Sequence, residues 1–395
     1  MNSGPRFSKS SWLTPLLGVA GAVLLMAQTA PPATPVTPVE SAPAAPNLLP
    51  VADLDLYAFS VGVGVHDPST IVKDKDTYWS FNTGNGLPSH FSKDLITWQN
   101  GPPVFSERPA WIADVVPGNR GLNFWAPDVF HLKDRYLLYY AVSTFGSRTS
   151  GIGLATNPTL DSNDPNYKWT DQGLVVKTQQ GVNNYNAIDP AVVQEADSKL
   201  WLVFGSFWEG IKLIQLDPAT GQRLAPDSPI TELAHNSSIE AAYIYFHDGY
   251  YYLFVNWGKC CAGLNSTYNI RVGRSKTITG PYLDMAGKDL AHEGGTLFLE
   301  TRGKFIGPGH AGIIKVEDQF WLSCHFYDGG TARGTSKLAV LPLAWNKDGW
   351  PNVVPLPATL AAKTANAAAP SASATPIAEV VPATAPVATP PAATP

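Results

Sequence analysis

Charge, sulfur and basic clusters are scarce in this 395-residue chain: 15% of its residues are Asp, Glu, Lys or Arg, with three cysteines and three methionines. No run of Lys or Arg occurs, and the formal net charge is −5. Nucleic-acid binding needs a basic patch, so a polyanion partner is not expected. Three cysteines allow one disulfide at most, and two of them, Cys260 and Cys261, are adjacent. Beyond the first thirty residues no apolar run is long enough to cross a bilayer.

The two ends lack the means to build a core. Residues 1–50 and 357–395 hold 17 of the 35 prolines but only five charged side chains, Arg6, Lys9, Glu40, Lys363 and Glu379. Pro/Ala/Thr-rich runs of this kind are extended, solvated spacers, read here as a linker over residues 31–50 and a tail over 357–395. At the start, Arg6 and Lys9 precede an apolar stretch from Trp12 to Met26, with small residues following. That order predicts an export signal over residues 1–30, cleaved near Ala30, and a periplasmic or secreted protein with no membrane attachment afterwards. An uncleaved anchor is the alternative. What remains, residues 51–356, carries 11 of the 12 tryptophans, and nothing in it calls for an oligomer, so a monomer is expected.

Inside that core one hairpin grammar recurs: a strand, an acidic turn and an aromatic-rich strand. The copies are Asp67–Thr83 (DPSTIVKDKDTYWSFNT), Asp128–Ser143 (DVFHLKDRYLLYYAVS), Asp189–Ser206 (DPAVVQEADSKLWLVFGS), Glu240–Trp257 (EAAYIYFHDGYYYLFVNW) and His310–Tyr327 (HAGIIKVEDQFWLSCHFY). They begin at intervals of 51 to 70 residues, longer than the roughly 40 to 45 of a compact propeller blade, which leaves room for long loops. The pattern predicts an all-β, five-bladed β-propeller. A β-sandwich rarely repeats one hairpin so regularly.

In a propeller the first strand of every blade lines the central channel, so equivalent residues converge. Asp67, Asp128, Asp189, Glu240 and His310 begin the five copies and are expected to face one funnel. Singly, an Asp-Pro is a turn initiator. Gathered on one axis, like charges are costly unless something uses or neutralises them. Two carboxylates flanking a bond with a third tuning them is the equipment of glycoside hydrolysis. Asp67 and Glu240, two blades apart in a five-membered ring, suit the inverting separation of about 6.5 to 9.5 Å that admits a water.

The strings that carry these residues resemble a known family. Val65–Ser69 (VHDPS), Phe124–Val129 (FWAPDV), Tyr185–Pro190 (YNAIDP), Gly205–Ile211 (GSFWEGI), Ser238–Tyr245 (SIEAAYIY), Thr267–Tyr282 (TYNIRVGRSKTITGPY) and Gly307–His310 (GPGH) resemble, in order, the family-43 glycoside hydrolases, specifically endo-α-1,5-L-arabinanases. The resemblance implies hydrolysis of plant cell-wall arabinan or arabino-oligosaccharides, with Asp67 as general base, Glu240 as general acid and Asp189 raising the acid's pKa. It implies that Tyr185, Asn186, Ala187, Ile188 and Asp189, with Ser206, Phe207 and Trp208, touch sugar and that the loop ending at Gly146 borders the cleft. It also implies that His310 helps to hold calcium, or another hydrated cation, on the axis. The string Glu240-Ala241-Ala242 stands where a proline is common, and Gly309-His310-Ala311 where Asn is common; neither change removes a catalytic group.

Three readings remain open on the residues alone. Asp128 is taken as structural. Cys260 and Cys261, in GKCCAG, are placed at the cleft as sugar contacts, either as a vicinal disulfide or as two thiols. An exo-acting α-L-arabinofuranosidase or β-xylosidase, or a catalytically silent sugar-binding propeller, would share most of these features.

Overall fold

The computed structural model describes residues Leu54–Leu356, so the leader, linker and tail segments read from the sequence lie outside the described residues. Among the described residues the strands form five antiparallel sheets of four or five strands, and each of the five sequence hairpins supplies an adjacent strand pair at the inner end of a sheet, with the two-residue strand Gly84–Asn85 added beyond Asn123–Leu132 in blade 2. Blade 1 is Val72–Asp74, Thr77–Phe81, Ser89–Ser92 and Trp98–Gly101. Blade 2 runs from Asn123–Leu132 to Thr170–Thr178, blade 3 from Ala191–Gln194 to Thr231–Ala234, and blade 4 from Glu240–His247 to Thr296–Leu299. Blade 5 takes Phe305–Val316, Gln319–Asp328 and Ser336–Trp345 from the end of the chain, and its outer strand, Ser60–Gly64, from the start. The fold is the five-bladed propeller that the repeat predicts.

The second strands are mostly apolar because both faces are buried between neighbours. In Arg135–Val142, residues Tyr136, Leu138 and Tyr140 pack with Trp79 and Phe81 of blade 1, whereas Leu137 and Tyr139 pack with Val192, Leu202 and Phe204 of blade 3. Alternation with period two sends one set to each neighbour. Full burial of each such side chain stabilises by roughly 1.5–3 kcal/mol. The core is therefore a set of seams between blades.

The innermost strands share a bulge. Trp125 pairs with Ala141 and Asp128 with Tyr139; Glu240 pairs with Asn256 and Tyr243 with Phe254; Gly309 pairs with His325 and Gly312 with Ser323. Between the two pairs, two residues on one strand thus oppose one on the other. The residue just after the first pair is left-handed in each case: Ala126 (φ 41°), Ala241 (φ 53°) and His310 (φ 63°). Asp67 (φ 49°) and Asp189 (φ 55°) hold the same place in blades 1 and 3. This corrects the sequence register. Asp128 lies two residues past the bulge and Glu240 one before it, so only Asp67, Asp189 and His310 are truly equivalent.

A bulge frees a backbone N–H, and the preceding blade captures it. Asp67 donates to Nδ1 of His325 (3.1 Å), Ala126 to Oγ1 of Thr83 (2.8 Å), Ala241 to Oδ2 of Asp189 (3.0 Å) and His310 to Oδ1 of Asn256 (3.0 Å). Asp128 also joins strands: its two oxygens accept from the backbone N–H of Thr70 (3.0 Å) in blade 1 and of Val192 (2.9 Å) in blade 3. It is a structural tie between blades.

Candidate active site

The bulges and the loops that follow the second strands enclose a cleft of about 660 Å³ at one end of the channel. Asp67, Gly146, Asn186, Ile188, Asp189, Ser206, Phe207, Trp208, Glu240, Cys260 and Cys261 all line it, as the sequence reading expects. Ala187 does not: it is fully buried in the seam between blades 2 and 3, where its N–H bonds the Thr178 hydroxyl. Tyr185 likewise turns toward that seam, its ring 6.1 Å from Phe204. His310 sits below the wall, with Nδ1 3.5 Å from Oδ1 of Asp67. Phe207 and Trp208 owe their exposure to a tight loop in which both are left-handed (φ 52° and 39°) and Gly210 closes back onto the Phe207 carbonyl.

Asp67 is surrounded by groups that favour its charge. Nδ1 of His66 lies 2.8 Å from its Oδ2, and the Thr83 hydroxyl donates to the same oxygen at 2.7 Å. Burial pushes the carboxyl up, but the charge on His66 and the bonds from His310 and His66 outweigh it and hold Asp67 well below the usual carboxylate range. The His66 imidazole is pushed up to about 10, since the Asp67 charge overcomes the cost of burial.

Glu240 has the opposite setting. Oε1 accepts from the Tyr268 hydroxyl (2.9 Å) and Oε2 from the Ser206 hydroxyl (3.0 Å). These two bonds favour the ionised form, yet burial first and the Asp189 charge second keep its pKa raised. Asp189 is itself raised, chiefly by burial. One carboxylate held ionised and another held protonated in the same cleft are a base and an acid at the same pH.

His66, Thr83 and Tyr268 are the functional groups that sequence reasoning passed over. His66 stands inside VHDPS and Tyr268 inside the TYNIRVGRS string, but neither is marked by the hairpin repeat. Aromatic surface flanks the acids on two sides: Trp125 with Phe145, rings 5.3 Å apart, and Phe207 with Trp208.

For the expected axial cation the donor chemistry is restrictive. His310 belongs to no group of three or more His, Cys, Asp or Glu donors among the described residues. Its Nδ1 faces Asp67, and its second ring nitrogen takes no bond from the described residues. A hard cation prefers six to eight oxygens, so these residues fit one held by a single imidazole nitrogen and mainly by water.

An antiparallel propeller with an opposed pair of tuned carboxylates between aromatic walls defines an acid–base hydrolase of sugars. Residues 61–351 match the model for Glycosyl hydrolases family 43, and the chain belongs to that family. The extracellular exo-α-(1→5)-L-arabinofuranosidase ArbA of Cellvibrio japonicus is 37% identical over 303 residues, covering 74% of this chain and 86% of that protein. The extracellular endo-α-(1→5)-L-arabinanase 1 of Bacillus subtilis is 40% identical over 296 residues, covering 73% and 87%. A solved structure of the Cellvibrio cellulosa α-L-arabinanase complexed with arabinohexaose superposes with a TM-score of 0.70 at 36% identity, over 74% of this chain and 95% of that one.

Proposed function

We propose that the protein is an exported endo-α-1,5-L-arabinanase that cleaves internal bonds of linear arabinan with inversion of configuration. The observation that carries this reading is the opposite tuning of Asp67 and Glu240 in one cleft. Protonated Glu240 gives its proton to the leaving glycosidic oxygen, while ionised Asp67 takes a proton from the water that attacks the anomeric carbon. Asp189 raises the acid's pKa with its charge and, through its bond to the Ala241 amide, fixes the strand that presents Glu240. Asn186, Ser206 and the aromatic pairs line the path of the chain, where flat ring faces suit the apolar faces of sugars. Export is supported by the leader read at residues 1–30 and by relatives named extracellular.

A hydrated cation on His310 would supply positive charge beneath Asp67. The chain's own part is to hold that ring, which it does through the Asn256 bond to the His310 amide.

Incubation with debranched linear arabinan is the direct test: a spread of oligomers early in the reaction supports endo action. The exo reading is kept because ArbA, an exo-enzyme by name, matches as long a stretch; early release of one small product would establish it. Proton NMR of the first-formed product should show the β-anomer. The α-anomer appearing first would make Asp67 a nucleophile and overturn inversion.

A further inference from the structure

One cluster on the cleft wall joins His66, the partner of Asp67, to two cysteines that have no part in the acid–base pair. Sγ of Cys260 and Sγ of Cys261 lie 3.7 and 3.9 Å from Nε2 of His66, and the two sulfurs are 2.8 Å apart. The three donors fall within 4.8 Å of one another. We propose that Cys260, Cys261 and His66 form a binding site for one thiophilic metal cation, with zinc as the type, and that its occupation blocks the cleft.

Donor chemistry and orientation both support the site. Two sulfurs and an imidazole nitrogen are the ligands a soft or borderline cation selects over oxygen, and three protein ligands leave a fourth position open toward the cleft. His66 is oriented as a metal-ligating histidine usually is: Nδ1 faces a carboxylate, Oδ2 of Asp67 at 2.8 Å, and Nε2 points at the sulfurs. Its ring is stacked on His325, centroids 4.3 Å apart, so it is held in that pose.

The loop carrying the cysteines is equally fixed. It leaves the second strand of blade 4 at Gly258 (φ 94°), where any Cβ would run into the Thr267 carbonyl. It turns again at Gly263 (φ 52°), against the Arg333 carbonyl.

Distances set what must move. In a tetrahedral site with Zn–S of about 2.3 Å and Zn–N of about 2.0–2.1 Å, sulfur and nitrogen stand about 3.5 Å apart and the two sulfurs about 3.8 Å. The sulfur–nitrogen spacings are already close to this. The sulfurs must part by about 1 Å, which exposed Cys261 can do by turning its side chain outward. For a cation to bind, Nε2 of His66 must give up its proton and its 2.8 Å contact with the Tyr327 hydroxyl, which keeps the bond it accepts from the Cys261 N–H (2.8 Å).

A bound cation would sit one imidazole away from Asp67, withdrawing electron density from the base and filling space on the sugar path. That inhibitory consequence rests on the proposed hydrolase function; binding itself does not.

The test uses the full chain with its thiols reduced and counted, and Zn2+ or Co2+ alone as the probe. Equilibrium dialysis should give one Zn2+ per chain, and Co2+ should give a sulfur-to-cobalt charge-transfer band. In the Cys260→Ser, Cys261→Ser double variant the band should vanish and affinity should fall by at least about tenfold. Zn2+ inhibition, expressed relative to each protein's own metal-free rate, should fall in parallel. Wild type binding Zn2+ no better than the double variant, or showing no charge-transfer band, overturns the site whatever the activity. Tight binding without inhibition overturns only the blocking role, and a chain inactive on arabinan that still binds Zn2+ overturns the function while leaving the site standing.

Discussion

His66 Nδ1 lies 2.8 Å from Oδ2 of its chain neighbour Asp67, so the ion pair that keeps the base charged is built from consecutive residues. The left-handed bulge at Asp67 turns its carboxylate back toward the imidazole beside it. His66→Gln keeps a hydrogen-bond donor but removes the charge. The Asp67 pKa should then rise, and since the base is inactive when protonated, the acidic limb of the kcat/KM profile should move to higher pH. An unmoved acidic limb would show that His66 does not set the base's ionisation.

Glu240 is governed by two neighbours of opposite effect. It must be protonated to act, so activity is lost as pH rises through its raised pKa. Asp189→Asn removes the like charge and should shift the basic limb to lower pH. Tyr268→Phe removes a bond that favours the ionised form and should shift the same limb to higher pH. Shifts in the same direction would contradict this account.

Converting either carboxyl to its amide should cost about 10²- to 10⁴-fold in rate on arabinan. An aryl arabinoside with a leaving group that needs no proton separates the roles. Glu240→Gln should recover most of its rate there, and Asp67→Asn should not. Equal deficits on both substrates would remove the assignment.

Asp128 should matter for stability. Asp128→Ala leaves the N–H groups of Thr70 and Val192 without their acceptor, at about 1–3 kcal/mol each. Asp128→Asn retains one acceptor and should cost about half as much. Denaturant unfolding measures both, and a fully stable alanine variant would mean the inter-blade tie is dispensable.

For the axial cation, His310→Ala should lose bound metal by elemental analysis and lose kcat more than substrate affinity. Unchanged metal content and kcat would return His310 to the role of a buried bulge residue.

The propeller was legible because burial on both faces forces apolar hairpins such as RYLLYYAV, and five copies with acidic turns leave few alternatives. Asp67, Asp189 and Glu240 were legible for the same reason, since each opens a copy. The register was not. A bulge adds a residue that no periodicity reveals, so Asp128 and Glu240 looked equivalent to Asp67 when they stand on either side of the bulge position. Tyr185 and Ala187 were misplaced within the string that also holds Asn186 and Ile188, because neighbours on a strand-like segment point to opposite sides. His66 and Tyr268 were missed since neither opens a hairpin copy: His66 stands one residue before Asp67, and Tyr268 reaches Glu240 from 28 positions along the chain.

Because Ser60–Gly64 is the outer strand of the same sheet that Ser336–Trp345 helps to form, the ring has a seam but no topological beginning. During synthesis the first-made of the described strands must wait for the last-made blade, so closure is a late, long-range event and an incomplete chain is left with an unpaired edge. The two ends of the described chain meet in one blade, where Leu54 and Leu356 pack on the same apolar cluster. Joining them through a short flexible linker and opening the chain instead between two other blades should preserve the circle, its cleft and its chemistry, while moving the point of attachment for anything fused to a terminus around the rim.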